Sequence, residues 1–105
     1  MAKSKELILL IESDPDISDV IAREALQPLG YRVEVISDAN KAIKAALQLS
    51  PDLVIVDLNS SGLSGKDLLV AFNAQDFQIP VVVLAEKEQE SEVMQSLRLG
   101  ASDYL

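Results

Sequence analysis

Apolar residues in this chain occur in two patterns that take turns. Short unbroken runs at Leu7 to Ile11, Leu53 to Val56 and Val81 to Leu84 have no polar alternation, which predicts strands buried on both faces inside a parallel sheet. Val33, Val35 and Ile36 stand among Arg32 and Glu34, which predicts a half-exposed second strand. Between the runs the apolar residues return every three or four positions. Ile17, Val20, Ile21 and Ala25 form one helical face, and Ala42, Ile43, Ala46 and Leu47 form another, in a helix from about Ala39 to Leu49. Leu68, Leu69 and Phe72 mark a third helix, and Val93, Met94 and Leu97 a fourth.

The punctuation fits these elements. Asp14 is placed to cap the first helix with Pro15 at its first position, and Pro28 with Gly30 to end it. Ser64-Gly65-Lys66-Asp67 has the spacing of a capping box ahead of the third helix, and Gly100 stops the fourth. Ala101 to Leu105 then enters a fifth strand, where the sequence ends.

Strict alternation of strand and helix implies a parallel sheet with right-handed crossovers and helices on both faces. For five strands the expected fold is a flavodoxin-like, doubly wound α/β sheet in the order 2-1-3-4-5, with its switch point between strands one and three. Those two strands run into acids: strand one into Glu12, strand three into Asp57. An apolar strand that ends in a charge has no packing rationale, and open α/β sheets hold their ligands at this rim. Glu12, Asp14 and Asp57 are expected to converge there, and their repulsion calls for a cation or a proton. Oxygen ligands with no His or Cys nearby select Mg²⁺, Mn²⁺ or Ca²⁺.

Composition sharpens this picture. The chain has 105 residues, 49% of them hydrophobic, and no Cys or His, so it is one globular domain without disulfides, thiolate metal sites or a histidine base. A net charge of -8 disfavours nucleic acid and anionic membranes as partners. No apolar run is long enough to span a bilayer and no signal-peptide pattern precedes Leu7, which predicts a cytoplasmic protein. Several features have plainer readings beside the functional ones. Asp14 serves as a helix cap whatever else it does, Glu12 alone reads equally as a rim carboxylate, and Asn59 to Gly62 as ordinary turn residues. The acids from Glu86 to Glu92 suit a solvated helix start.

Glu12-Ser13-Asp14-Pro15, Asp57-Leu58-Asn59 with Gly62-Leu63-Ser64-Gly65, and Gly100-Ala101-Ser102-Asp103-Tyr104-Leu105 together resemble the receiver domain of two-component response regulators along the whole chain. The resemblance implies that Asp57 accepts a phosphoryl group from a partner histidine kinase or phosphotransfer protein. It implies Mg²⁺ beside Asp57, with the backbone carbonyl of Asn59 as a ligand, and Tyr104 as an aromatic residue that turns on activation. Glu12 and Asp14, which the topology brings to the same rim, are the further candidate ligands, Asp14 in place of the acid missing at Ser13. The only catalysis it implies is assistance to the domain's own phosphorylation and dephosphorylation, with an output domain or effector downstream and room for a homodimer.

The chain departs from that family at named positions. Ser13 stands where a second acid is usual, which predicts weak Mg²⁺ binding, with Mn²⁺ as a substitute. Ala85 stands where a Thr or Ser is usual at the end of strand four, and Ser60 and Ser61 where a hydrophobic residue and Pro are usual. The family's Lys after strand five and its fifth helix lie beyond Leu105. A chain that stops there is expected to belong to a longer protein, and to leave apolar side chains of strands one, three and four open beside helix one. Two further readings remain at this point. One is a degenerate receiver that binds proteins without phosphorylation. The other is an enzyme on the same topology, either flavin-binding or a phosphatase with an aspartyl nucleophile.

Overall fold

Five strands form one parallel sheet in the order β2-β1-β3-β4-β5 in the computed structural model, which describes residues 6–58, 65–75, 78–85 and 103–104. The strands are β1 Leu7–Ile11, β2 Arg32–Ile36, β3 Leu53–Asp57, β4 Val81–Leu84 and β5 Asp103–Tyr104. The unbroken apolar runs are therefore the central strands, and the mixed run is the half-exposed edge strand β2. The order is the doubly wound one expected from the β-α alternation. Asp52 adds a clasp at the start of the sheet that the apolar pattern does not signal. Its Oδ2 accepts from the Leu7 amide at 2.8 Å and its own amide donates to the Leu7 carbonyl at 2.8 Å.

The central strands β1 and β3 are covered on both faces. Leu9, Ile11, Val54, Val56, Val81 and Val83 point to one side, where they pack with residues of α2 (Ala42–Leu49) and α3 (Gly65–Ala74). Leu68, Leu69 and Phe72 of α3 are buried there, as their spacing predicts. Ile8, Leu10 and Ile55 point to the other side. Contrary to expectation these residues of β1 and β3 are buried, with half-buried Ile21, Leu26, Tyr31, Val33, Leu53 and Leu84 packed against them, while Val82 and Leu84 of β4 are half-buried.

The first helix differs from the expected one in winding and in facing. It opens as α1 (Pro15–Asp19), continues as a π-helix over Val20–Leu26 and closes with a 3-10 turn at Gln27–Leu29. Its buried residues are Ser18 and Ala22, while Ile17, Val20 and Ala25 are exposed and Ile21 is half-buried. Two small residues one turn apart let the helix sit close to the sheet, and the Ser18 hydroxyl satisfies itself by donating to the Pro15 carbonyl at 3.1 Å. The wider π winding then turns the later positions off a 3.6-residue face.

The second helix starts as a 3-10 turn at Ala39–Lys41, capped by Asp38, whose side chain accepts from the Asn40 amide. Ala39, Ala42 and Ala46 are buried and Ile43 is half-buried, but Leu47 is 53% exposed. The buried stripe is narrower than expected because three alanines, not the larger side chains, meet the sheet. The chain leaves the first helix at Gly30 with φ 97, a left-handed cap that favours glycine, and leaves α2 at Ser50 with φ 46. Ser64, of the capping box, and the fourth helix lie outside the described residues. No helix among the described residues is long and apolar enough to cross a membrane.

Candidate functional site

The register of the sheet brings two acids together. Ile11 lies opposite Val56, so the residues that follow them, Glu12 and Asp57, form the next pair at the carboxyl rim. Both backbones are fixed from their outer sides. The Glu12 amide donates to the Ile36 carbonyl at 3.0 Å, and the Leu58 amide to the Leu84 carbonyl at 3.0 Å, extending the ladders to β2 and β4 past the strand ends. The chain leaves β1 toward one face of the sheet and β3 toward the other, so the two carboxyls sit at the switch point of the fold.

Glu12 is 1% exposed, whereas Asp57 is half-buried. The Asp14 amide donates to Glu12 Oε2 at 3.3 Å, and Oε1 is buried with no hydrogen-bond partner among the described residues. Burial pushes the Glu12 carboxyl up to about 7, helped by the Asp57 carboxyl beside it, which favours a proton between the two, and by the charges of Asp57 and Asp14; the Asp14 amide opposes the rise. A buried acceptor that lacks a partner, beside a second carboxyl, is a site that takes up a proton or a cation.

Asp14 is placed otherwise. It is exposed, and its Oδ1 accepts from the Asp16 amide at 2.9 Å and the Ile17 amide at 3.4 Å, the helix cap that the sequence signals. The described residues contain no group of three or more acids placed to hold a metal ion. Two carboxylates completed by waters still suit Mg²⁺, which keeps several waters and often takes only one or two protein carboxylates. The donor set and the orphaned Oε1 therefore fit a hard cation. Ser13 is half-buried between the two acids of its loop. Ala85 is half-buried after β4, with its methyl against the core. Tyr104 lies in the backbone of β5, paired with Val83. Asn59 and the loop through Ser64 fall outside the described residues. A cavity of about 200 Å³, lined by Glu6, Ile8, Leu26, Tyr31, Asp52 and Leu53, lies at the opposite rim, where the strands begin.

The family model of the response regulator receiver domain matches residues 8–105. The chain belongs to this family. The receiver domain is similar to the DNA-binding response regulator MtrA of Mycolicibacterium smegmatis, with 32% identity over 105 residues, all of this chain and 45% of that protein. It is 29% identical over 102 residues to the transcriptional regulatory protein PrrA of Mycobacterium leprae, covering 43% of it. It thus spans less than half the length of these curated relatives. Among solved structures it resembles the BeF3-activated N-terminal receiver domain of Klebsiella pneumoniae RstA, with a TM-score of 0.88, 30% identity and coverage of 95% of this chain and 84% of that one. The receiver domain of NtrX from Brucella abortus aligns with a TM-score of 0.85 at 29% identity, covering 93% of this chain and 82% of that one. The receiver domain is thus a flavodoxin-like module of two-component signalling.

Proposed function

We propose that this receiver domain accepts a phosphoryl group on Asp57 from a phosphohistidine of a partner kinase or phosphotransfer protein. The observation that carries the reading is the pairing of half-buried Asp57 with buried Glu12, whose Oε1 is unpartnered among the described residues, at the switch point of the sheet. An Asp57 oxygen attacks the phosphorus in line as the bond to the donor nitrogen breaks, and the freed imidazole takes up a proton. Water later cleaves the acyl phosphate, returning the Asp57 carboxylate and inorganic phosphate. Glu12, Asp57 and the Asn59 carbonyl would hold Mg²⁺, which when bound supplies the positive charge that offsets the phosphoryl oxygens. The Glu12 carboxylate stays at the rim because its backbone is locked to β2 and its Oε2 to an amide. Phosphorylation would pass the signal to an output domain or effector; the DNA binding named for the MtrA relative gives one class of output.

The test is labelling by acetyl phosphate with Mg²⁺. The expected label is hydroxylamine-labile, disappears in Asp57→Asn, and falls sharply when the cation is chelated. A stable label that persists in Asp57→Asn would overturn the proposal.

A further inference from the structure

Four hydrogen bonds meet at Asp14. Its Oδ1 accepts from the Asp16 and Ile17 amides at 2.9 and 3.4 Å, and its carbonyl accepts from the Ser18 amide at 3.0 Å. Its own amide donates to Glu12 Oε2 at 3.3 Å. The first three bonds start α1. The fourth points back into the site.

These bonds depend on one another through the backbone of Asp14, held at φ -85 and ψ 114. An N-cap residue must be extended for its side chain to reach the amides of the first turn, and Pro15 favours the same conformation from the other side. That conformation aims the Asp14 amide at Glu12. The Glu12 side chain has three rotatable bonds, and the Asp14 amide is the hydrogen-bond donor that restricts its carboxyl, through a long contact of 3.3 Å. With Oε2 so held, Oε1 is left as the buried, unpartnered oxygen among the described residues. The exposed Asp14 carboxylate has one oxygen committed to two helix amides.

We propose that Asp14 is a positioning residue of the cation site: its cap of α1 fixes the amide that orients Glu12, while its carboxylate stays on the helix and off the cation. This rests on the reading of Glu12 and Asp57 as the pair that holds Mg²⁺. The role is distinct from that of a ligand because it needs a capping oxygen and no negative charge.

Substitutions that separate capping from charge test it. Asp14→Asn and Asp14→Ser keep a capping oxygen and lose the charge; Asp14→Glu keeps the charge on a side chain too long to cap well; Asp14→Ala loses both. Mg²⁺ titrations of the full chain, read by the amide NMR shifts of Glu12 and Asp57, give the affinities, and melts without cation give the stabilities. The expected order has Asn and Ser within about threefold of wild type, the cost of one screened exposed charge. Ala and Glu should bind about fivefold more weakly, the scale of a lost cap. Asn and Ser variants that lose tenfold or more while Glu retains affinity would place the carboxylate on the cation and overturn the proposal. Ala and Glu variants that melt lower yet bind Mg²⁺ as wild type does would reduce Asp14 to a plain cap, and also overturn it. If wild type gives no Mg²⁺-dependent shifts, the pairing of Glu12 with Asp57 around a cation fails together with the proposal. If wild type binds and Asp57→Asn does not, a wrong order in the Asp14 series rejects the positioning role alone.

Discussion

The Asp14 amide donates to Oε2 of Glu12 at 3.3 Å and leaves Oε1 of that carboxyl buried with no partner among the described residues. One oxygen of the acid is thus anchored and the other is unsatisfied, with Asp57 alongside. Burial and the neighbouring carboxyl raise the Glu12 pKa from 4.5 to about 7 against the opposing effect of the Asp14 amide.

The raised pKa sets a pH dependence of stability. In the cation-free protein the folded state holds the Glu12 proton more tightly than the unfolded state does. The stability from this group is therefore complete below about 4.5 and is lost as pH rises through about 7. The loss is on the order of 3 kcal/mol. Urea unfolding in chelator should show a lower midpoint at pH 8 than at pH 5. Glu12→Gln should flatten that slope and exceed wild type at pH 8; an unchanged slope would mean that Glu12 is not the titrating group.

The cation competes for the same oxygens. Mg²⁺ affinity should rise as pH rises through about 7, because the proton leaves Glu12 in that range. Ser13 is half-buried in the same loop, and Ser13→Asp should tighten Mg²⁺ at least about tenfold by adding a carboxylate to the site. Calorimetric titration of both forms checks this. Equal affinities would mean that position 13 does not reach the cation.

A phosphoryl group on Asp57 should perturb the sheet only locally. Ala85 follows Leu84, the register partner of Asp57, and presents a methyl to the core instead of a hydrogen-bond donor. A side chain with no differential contact to the two states cannot shift their balance. Amide shifts on adding beryllofluoride should stay near Glu12, Asp57 and Leu58 in wild type and spread along β4 in Ala85→Thr. Wild-type shifts that reach Tyr104 would contradict this.

The strands were legible in the sequence, and so was the pair of acids at their ends. Val54, Ile55 and Val56 are buried on alternating faces of the sheet, and only a doubly covered strand tolerates such a run. Helix facing was less legible. Ile17, Val20 and Leu47 lie outward, because small residues at Ser18, Ala22, Ala42 and Ala46 make the close approach, and periodicity does not weigh size. Whether Glu12 was a surface acid or a buried one was also hidden. Its burial depends on the pairing of β1 with β2 and β3, and nothing local to Glu12 encodes that.

Backbone strain marks one position that can be improved. Ser50 caps α2 at φ 46 and ψ 58, where a side chain is disfavoured. Ser50→Gly should raise stability by about 0.5–1 kcal/mol. Gly30→Ala should cost about 1 kcal/mol through φ 97 alone, since a Cβ there would meet nothing within 4 Å. Paired urea melts give both values, and a neutral Gly30→Ala would show that the first helix ends differently in solution.

Intact mass after reaction with acetyl phosphate tests the central claim most directly. The wild-type chain with Mg²⁺ should gain the mass of a single phosphoryl group, and Asp57→Asn should gain none under the same conditions. An unmodified wild-type chain, or an Asp57→Asn chain that still gains the group, would contradict the assignment of Asp57 as the acceptor.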